Sequence, residues 1–265
     1  MIIGYREMIR ETGSQEPFND PDICSMAITP EHFEERLNHI RSRLVDQGKL
    51  VTELTELTFN TIYDRDADAA TVLMARDDEV DQVDIEIERD AVDLLTLAIR
   101  DSCPIDPAQI RSLLTAVKVN NELERIADAA TEVAQLVISL GDRTSPFPKT
   151  TRVMTNSIVG VIRDTVRAFR DIDAEKAKSV LACEGNTLAF HELITRDAEV
   201  RVADGRMGVD TAFELHAIIN QTVLMGDHCT NIAEQVIYQA TGTIVRHTTA
   251  GWVEQNLPKL SKPDS

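Results

Sequence analysis

The sequence predicts an all-α protein built as two tandem three-helix bundles, six long antiparallel helices in a row. Three observations carry this. The nine prolines stand at 17, 21, 30, 104, 107, 146, 148, 258 and 263, and the stretches between them are long and proline-free, as long helices require. Apolar residues recur at three- and four-residue spacing, with little β-branched alternation. The order of helices and turns in the first half returns in the second, the mark of an internal repeat.

Residues 1–29, with Gly13, Pro17 and Pro21, read as an N-terminal extension to which no chemistry is assigned. Thr29-Pro30-Glu31 starts the first helix, a capping hydroxyl followed by proline at the first helical position. Phe33, Leu37, Ile40, Leu44, Val51, Leu54 and Thr58 form its apolar stripe, and it ends near Tyr63 in the acidic turn Asp64-Arg65-Asp66. The second helix is expected to run unbroken from about Ala67 to Arg100, roughly 50 Å at 1.5 Å per residue. Asp106, Pro107 and Gln109 form a capping box that starts the third, which stops at Leu140-Gly141.

Pro146-Phe147-Pro148 separates a second triplet. Its helices are expected at about 151–171, 174–203 and 209–241, with Asp171-Ile172-Asp173 repeating the earlier acidic turn. The domains are therefore 30–145 and 149–247, followed by a tail over 248–265 that holds the single tryptophan, Trp252.

The net charge of −18 and a pI near 4.7 exclude nucleic-acid binding through the phosphate backbone, which needs a basic surface. Cys24, Cys103, Cys183 and Cys229 are far apart and form no CxxC, so they read as buried thiols of a reducing compartment. No leader pattern and no apolar run of about 18 residues is present. A cytoplasmic location is expected.

The residues with chemistry lie on the second and third helices. In the third, the apolar series Ile110, Leu113/Leu114, Val117 continues onto Asn121, Glu124 and Asp128. In the second, Leu73, Val80, Ile87, Leu94 and Ala98 form a stripe on which Asp77 and Asp84 also fall, with Asp81 beside it. Packing these two helices together gathers four or five carboxylates. Desolvated carboxylates are costly unless they are paired or hold a cation, and all-oxygen sets suit magnesium, calcium, manganese or iron. The alternative is a solvated acidic face.

Several motifs here resemble a known family. Leu123-Glu124-Arg125-Ile126-Ala127-Asp128 is similar to the LERIGD signature of the PhoU phosphate-signalling regulators, with Pro104, Ile110-Arg111 and Lys118 in the expected context. Asp77-Asp78-Glu79-Val80-Asp81 resembles the acidic motif of the preceding PhoU helix. In the second repeat Gly226-Asp227-His228-Cys229-Thr230-Asn231-Ile232-Ala233-Glu234 resembles GDHxxNIAE, and Val236–Gly242 with Val245-Arg246-His247 resembles the family's C-terminus. The resemblance covers about residues 31–247.

It implies paired three-helix bundles that hold metal, iron first, with zinc, manganese or magnesium as alternatives. It also implies a regulator, not an enzyme, acting with a phosphate ABC transporter ATPase and a phosphate-sensing histidine kinase. Such a protein would be a homodimer that meets the membrane only peripherally through its partners. Carried over, Asp77, Asp81, Glu124 and Asp128 would be ligands of a first site; Asp84 is added from spacing alone. In the second repeat only Glu184 and Asp227 match, because Leu188 and Val223 stand where acids belong. One full site and a second, weakened or absent one are expected.

His191 and His228 read as packed or capping histidines, and Asn231 and Glu234 as packing or partner-surface residues. A di-iron carboxylate enzyme would carry Glu-x-x-His on its ligand helices. None of the six histidines has a glutamate three residues before it. No phosphate loop or nucleophile elbow appears either. A further alternative is a PhoU-like accessory protein of a different ion transporter.

Overall fold

The computed structural model describes residues 27–141, 146–248 and 251–256. The extension over 1–26 and the end of the tail from 257 lie outside the described residues. The six-helix arrangement is present, with two interruptions. Helix α1 spans Pro30–Asp64, α2 Ala67–Met74, α3 Asp77–Arg100 and α4 Pro107–Leu140. The second repeat gives α5 Lys149–Asp171, α6 Ala174–Leu181, α7 Glu184–Ala203 and α8 Val209–Thr241.

The expected continuous second helix is thus broken at Ala75-Arg76, and the fifth at Ala182-Cys183. These residues keep right-handed helical dihedrals, so the breaks interrupt the hydrogen-bond ladder without turning the chain sharply. A second difference lies beyond α8. Strands β1 (Thr243–Thr248) and β2 (Gly251–Asn256) form an antiparallel hairpin with Thr248 opposite Gly251, where a plain tail is expected.

The ends of the elements follow local chemistry. The Thr29 hydroxyl accepts from the His32 amide, and Asp106 with Gln109 completes a reciprocal capping box at the start of α4. The two repeats make the same turn after their first helix. Arg65 and Ile172 take left-handed backbone at φ 53° and 50°, and the next residue, Asp66 or Asp173, caps the following helix. Positive φ is unusual for a β-branched residue, so the turn geometry overrides the preference of Ile172.

All seven expected stripe residues of α1 are buried, as are Leu73, Val80, Ile87, Leu94 and Ala98 on α2 and α3. One continuous core joins both repeats, holding Leu44, Leu94 and Ile126 of the first with Ile162, Met225 and Val236 of the second. A smaller cluster around Met154, Ile194, Leu215 and Ile219 closes the far end of the second repeat.

The repeats meet antiparallel along two seams. Between α1 and α5, Tyr63 Oη lies 2.6 Å from Thr155 Oγ1 and Glu56 pairs with Arg163. Gly48 sits so close to Val166 that an added Cβ would stand 2.7 Å from Val166 Cγ2. Between α4 and α8, Ser112 meets Gln239, Glu132 meets Gln221, and Ser139 meets Glu214.

Candidate metal-binding face

Helix α4 is central, and this changes the position of the acids. It packs on α1, α3 and α8, so its buried line runs through Leu113, Ala116, Asn120, Leu123 and Ala127. Ile110 and Leu114 are 44% and 50% exposed. The series leading to Glu124 and Asp128 therefore lies on the outward face, not in the buried seam. This corrects the sequence-based expectation of acids replacing core residues. Glu124, Asp77 and Asp84 are half-buried at the edge of the core, while Asp81 and Asp128 are exposed.

The first-repeat acids nevertheless face one another. Burial pushes the Asp77 carboxyl up to about 6, and the charges of Asp128 and Asp81 push in the same direction. The Thr131 hydroxyl offsets this only in part. It stands short of hydrogen-bonding geometry, because Asp77 Oδ1 and Thr131 Oγ1 are both buried without a partner among the described residues. Glu124 is pushed up to about 7, first by burial, then by the Asp128 charge and a hydrogen bond to Asp128 that favours its protonated form. Asp84 and Asp81 add to the repulsion. Asp84 is raised by burial and by Glu88 and Asp81, and Asn120 Nδ2 donates to its Oδ1 at 2.6 Å. Among the described residues no three such groups already converge on a single point.

The second-repeat face is different. Glu184, Leu188, His191 and Thr195 follow one another at helical spacing on α7, as do Phe213, His216, Asn220, Val223 and Asp227 on α8. His191 Nε2 lies 2.8 Å from Asn220 Oδ1, and the His191 and His216 rings are 5.4 Å apart. Leu188 is exposed and Val223 half-buried, so apolar side chains occupy the places that Asp81 and Glu124 hold in the first repeat.

Polar residues in and beside the two motifs serve a seam between repeats. His228 Nδ1 lies 2.7 Å from Glu122 Oε2, and Asn231 Nδ2 donates to the same oxygen at 3.0 Å. Burial pushes the Glu122 carboxyl up, but these hydrogen bonds outweigh it and hold it below its ordinary value. Glu234 pairs with Arg246 of β1. Glu122, Asn231, Glu234 and Arg246 border a polar cleft of about 740 Å³ that reaches Asp84 and Asn120. Sequence reasoning passed over Glu122, because its partners lie more than a hundred residues away and nothing local signals them. Of the cysteines, Cys229 is fully buried and burial pushes its thiol up to about 12, an inert group. Cys103 and Cys183 are half-buried free thiols, and Cys24 lies outside the described residues.

A duplicated three-helix unit, joined through its first and third helices and carrying carboxylates on one outward face, defines a tandem helical-bundle protein. Among the described residues no helix is long and apolar enough to cross a membrane. The family model for the PhoU domain matches residues 44–137 and again 151–236. The chain belongs to the PhoU family.

Its curated relatives include a "Phosphate-specific transport system accessory protein PhoU homolog" from Zymomonas mobilis, 26% identical over 84% of this chain and 92% of the relative. Another is PhoU homolog 1 from Thermotoga maritima, 26% identical over 83% and 94%. Among solved structures, PhoU from Pseudomonas aeruginosa superposes with a TM-score of 0.74 at 25% identity, covering 80% of this chain and all of that one. The PhoU regulatory protein from Streptococcus pneumoniae gives the same TM-score at 20% identity, covering 81% and 99%, and shows the shared fold.

Proposed function

We propose that this protein is a PhoU-type accessory regulator of phosphate transport that works by protein contact, without catalysis, in the cytoplasm. Membership of the family, together with relatives named as accessory proteins of the phosphate-specific transport system, carries this reading. Its partners would be the phosphate transporter ATPase and the phosphate-sensing histidine kinase, and it would act as a homodimer.

The proposal includes a metal ion on the first-repeat face, held by Asp77, Asp81, Glu124 and Asp128 with Asp84 adjacent. The donor chemistry fits a hard cation, iron first. The carboxylates repel one another, and a buried Asp77 oxygen lacks a partner. A bound cation would neutralise charge that the protein otherwise suppresses by protonation. Rotation of exposed Asp81 and Asp128 would complete the set. The metal would supply fixed positive charge, and the acids would hold it at the surface where a partner can read its presence. Glu184 and Asp227, without the two intervening acids, would form at most a weak second site.

The test is elemental analysis of protein purified without chelator or metal-affinity tag, beside Glu124→Gln/Asp128→Asn. Stoichiometric metal that disappears in the variant is expected. Metal-free wild-type protein, folded by circular dichroism, would remove the metal from the proposal. The regulatory part is tested separately: deletion of the gene should derepress a phosphate-starvation reporter, and an unchanged reporter would overturn it.

A further inference from the structure

The outward face of α7 and α8 carries an apolar groove of about 470 Å³ whose walls include Val202, Val209, Ala212 and Phe213. Phe213 is 71% exposed, and Leu224, Leu188 and Val209 are exposed along the same side. Single exposed aliphatics are ordinary, but an apolar groove beside an exposed phenylalanine marks a binding surface. From Val209 to Asp227 the face is roughly 27 Å long, the length of about five helical turns.

The comparison of repeats explains how this face arises. At the middle of the face the first repeat carries Asp81 and Glu124, which divide its exposed aliphatics from the rest of the surface. The second repeat carries Leu188 and Val223 there, so beyond the polar pair of His191 and Asn220 the face that starts at the Phe213 groove turns apolar again. The groove contains no lysine or arginine. Glu199 lines it and Asp210 is exposed beside Val209, while Glu184 and Asp227 stand beyond it, toward the other end of the two helices.

We propose that this face docks an amphipathic helix of a partner protein, apolar on one side and flanked by lysine or arginine. The groove takes the apolar side, and the acidic rim selects basic flanks. The same rim disfavours a second copy of the chain, since two such faces would oppose acid to acid, and it disfavours an anionic lipid surface. The inference rests on the contact-based function proposed above and names the surface it uses.

The probe is a synthetic peptide of about 18 residues, leucine at helical i, i+3, i+4, i+7 spacing and lysine elsewhere, titrated by fluorescence anisotropy. Its controls are a scrambled peptide of equal composition and a version with glutamate for lysine. Binding of the first alone is expected, with amide-exchange protection in α7 and α8. Phe213→Ser/Leu224→Ser should weaken it about tenfold, while the first-repeat change Ile110→Ser/Leu114→Ser, on exposed apolar residues of α4, leaves it unchanged. No binding, or binding indifferent to Phe213→Ser/Leu224→Ser, overturns the proposal. So does a dimer that this variant dissociates, which would give the face to a second copy. Failure here with intact metal binding and reporter response removes this surface and leaves the function standing.

Discussion

The two repeats share a backbone plan and differ in what they place on it. Each has a first helix ended by a left-handed residue, an aspartate-capped short helix of eight residues, an interruption, and a long pair. On that pair the first repeat sets carboxylates that repel one another, and the second sets Leu188 and Val223. The difference teaches that the fold does not require the acids. A half-buried carboxylate cluster costs stability, and the second repeat removes that cost at two central positions while retaining the helices. The first repeat bears it, which points to a use for the charge outside folding.

The strongest way to test this contrast is to erase it. Leu188→Asp/Val223→Glu gives the second repeat the first repeat's acid pattern around Glu184 and Asp227. The variant is expected to bind additional metal by elemental analysis, and to bind the leucine–lysine peptide more weakly by removing the apolar side chains Leu188 and Val223 from that face. Unaltered metal content would show that the first-repeat site depends on more than these four positions.

A smaller effect separates the repeats by pH. In chelated protein Asp77 and Glu124 hold protons more tightly folded than unfolded, so protonation favours the fold. Their repulsion is fully present above about pH 7. It is relieved as pH falls through about 7 for Glu124 and about 6 for Asp77, and the relief is complete near ordinary carboxylate values. These groups should raise Tm by about 2 °C between pH ~7.5 and pH ~5.5, discounted for their partial exposure. Glu124→Gln should flatten that dependence, and added metal should abolish it. A metal-free protein whose Tm falls over this range, with no effect of the substitution, would contradict the arrangement.

The smallest contrast concerns two glycines. At Gly48 a Cβ would meet Val166 at 2.7 Å, whereas at Gly226 it would meet the end of Ile158 at 3.3 Å. Alanine gains about 1 kcal/mol of helix propensity at either site. Val166 is stiff at χ1 within its helix, so Gly48→Ala should remain destabilised by about 1–2 kcal/mol in urea unfolding. Ile158 can shift its terminal methyl, so Gly226→Ala should lie within about 0.5 kcal/mol of wild type.

Much of this was legible in the sequence. Thr29, Asp106 and Gly141 mark helix ends by local hydrogen-bonding chemistry, and the α1 stripe follows from periodicity alone. The repeat and the five first-repeat acids were also visible. Other features were not, for physical reasons. Ala75-Arg76 and Ala182-Cys183 contain no helix breaker, so the interruptions leave no mark in composition. Ile110 and Leu114 belong to an apolar period, yet α4 turns that side outward, because α1 and α8 compete for its other faces. Thr243-Ile244-Val245 has strand propensity, but it follows directly on a helix stop at Gly242 and reads as a tail without its pairing partner.

The Glu122 clasp also bears on how the chain is made. Its two donors are encoded over a hundred residues later, beyond three further helices. At roughly 5–20 residues per second, the ribosome delivers α8 some 5–20 s after α4. For that interval α4 has formed its own capping box and can pack on α1, but its α8-facing side, with Glu122 at the centre, remains in water. Glu122 is a solvated carboxylate over that interval, and the arrival of His228 and Asn231 turns the same charge into the latch between the two halves.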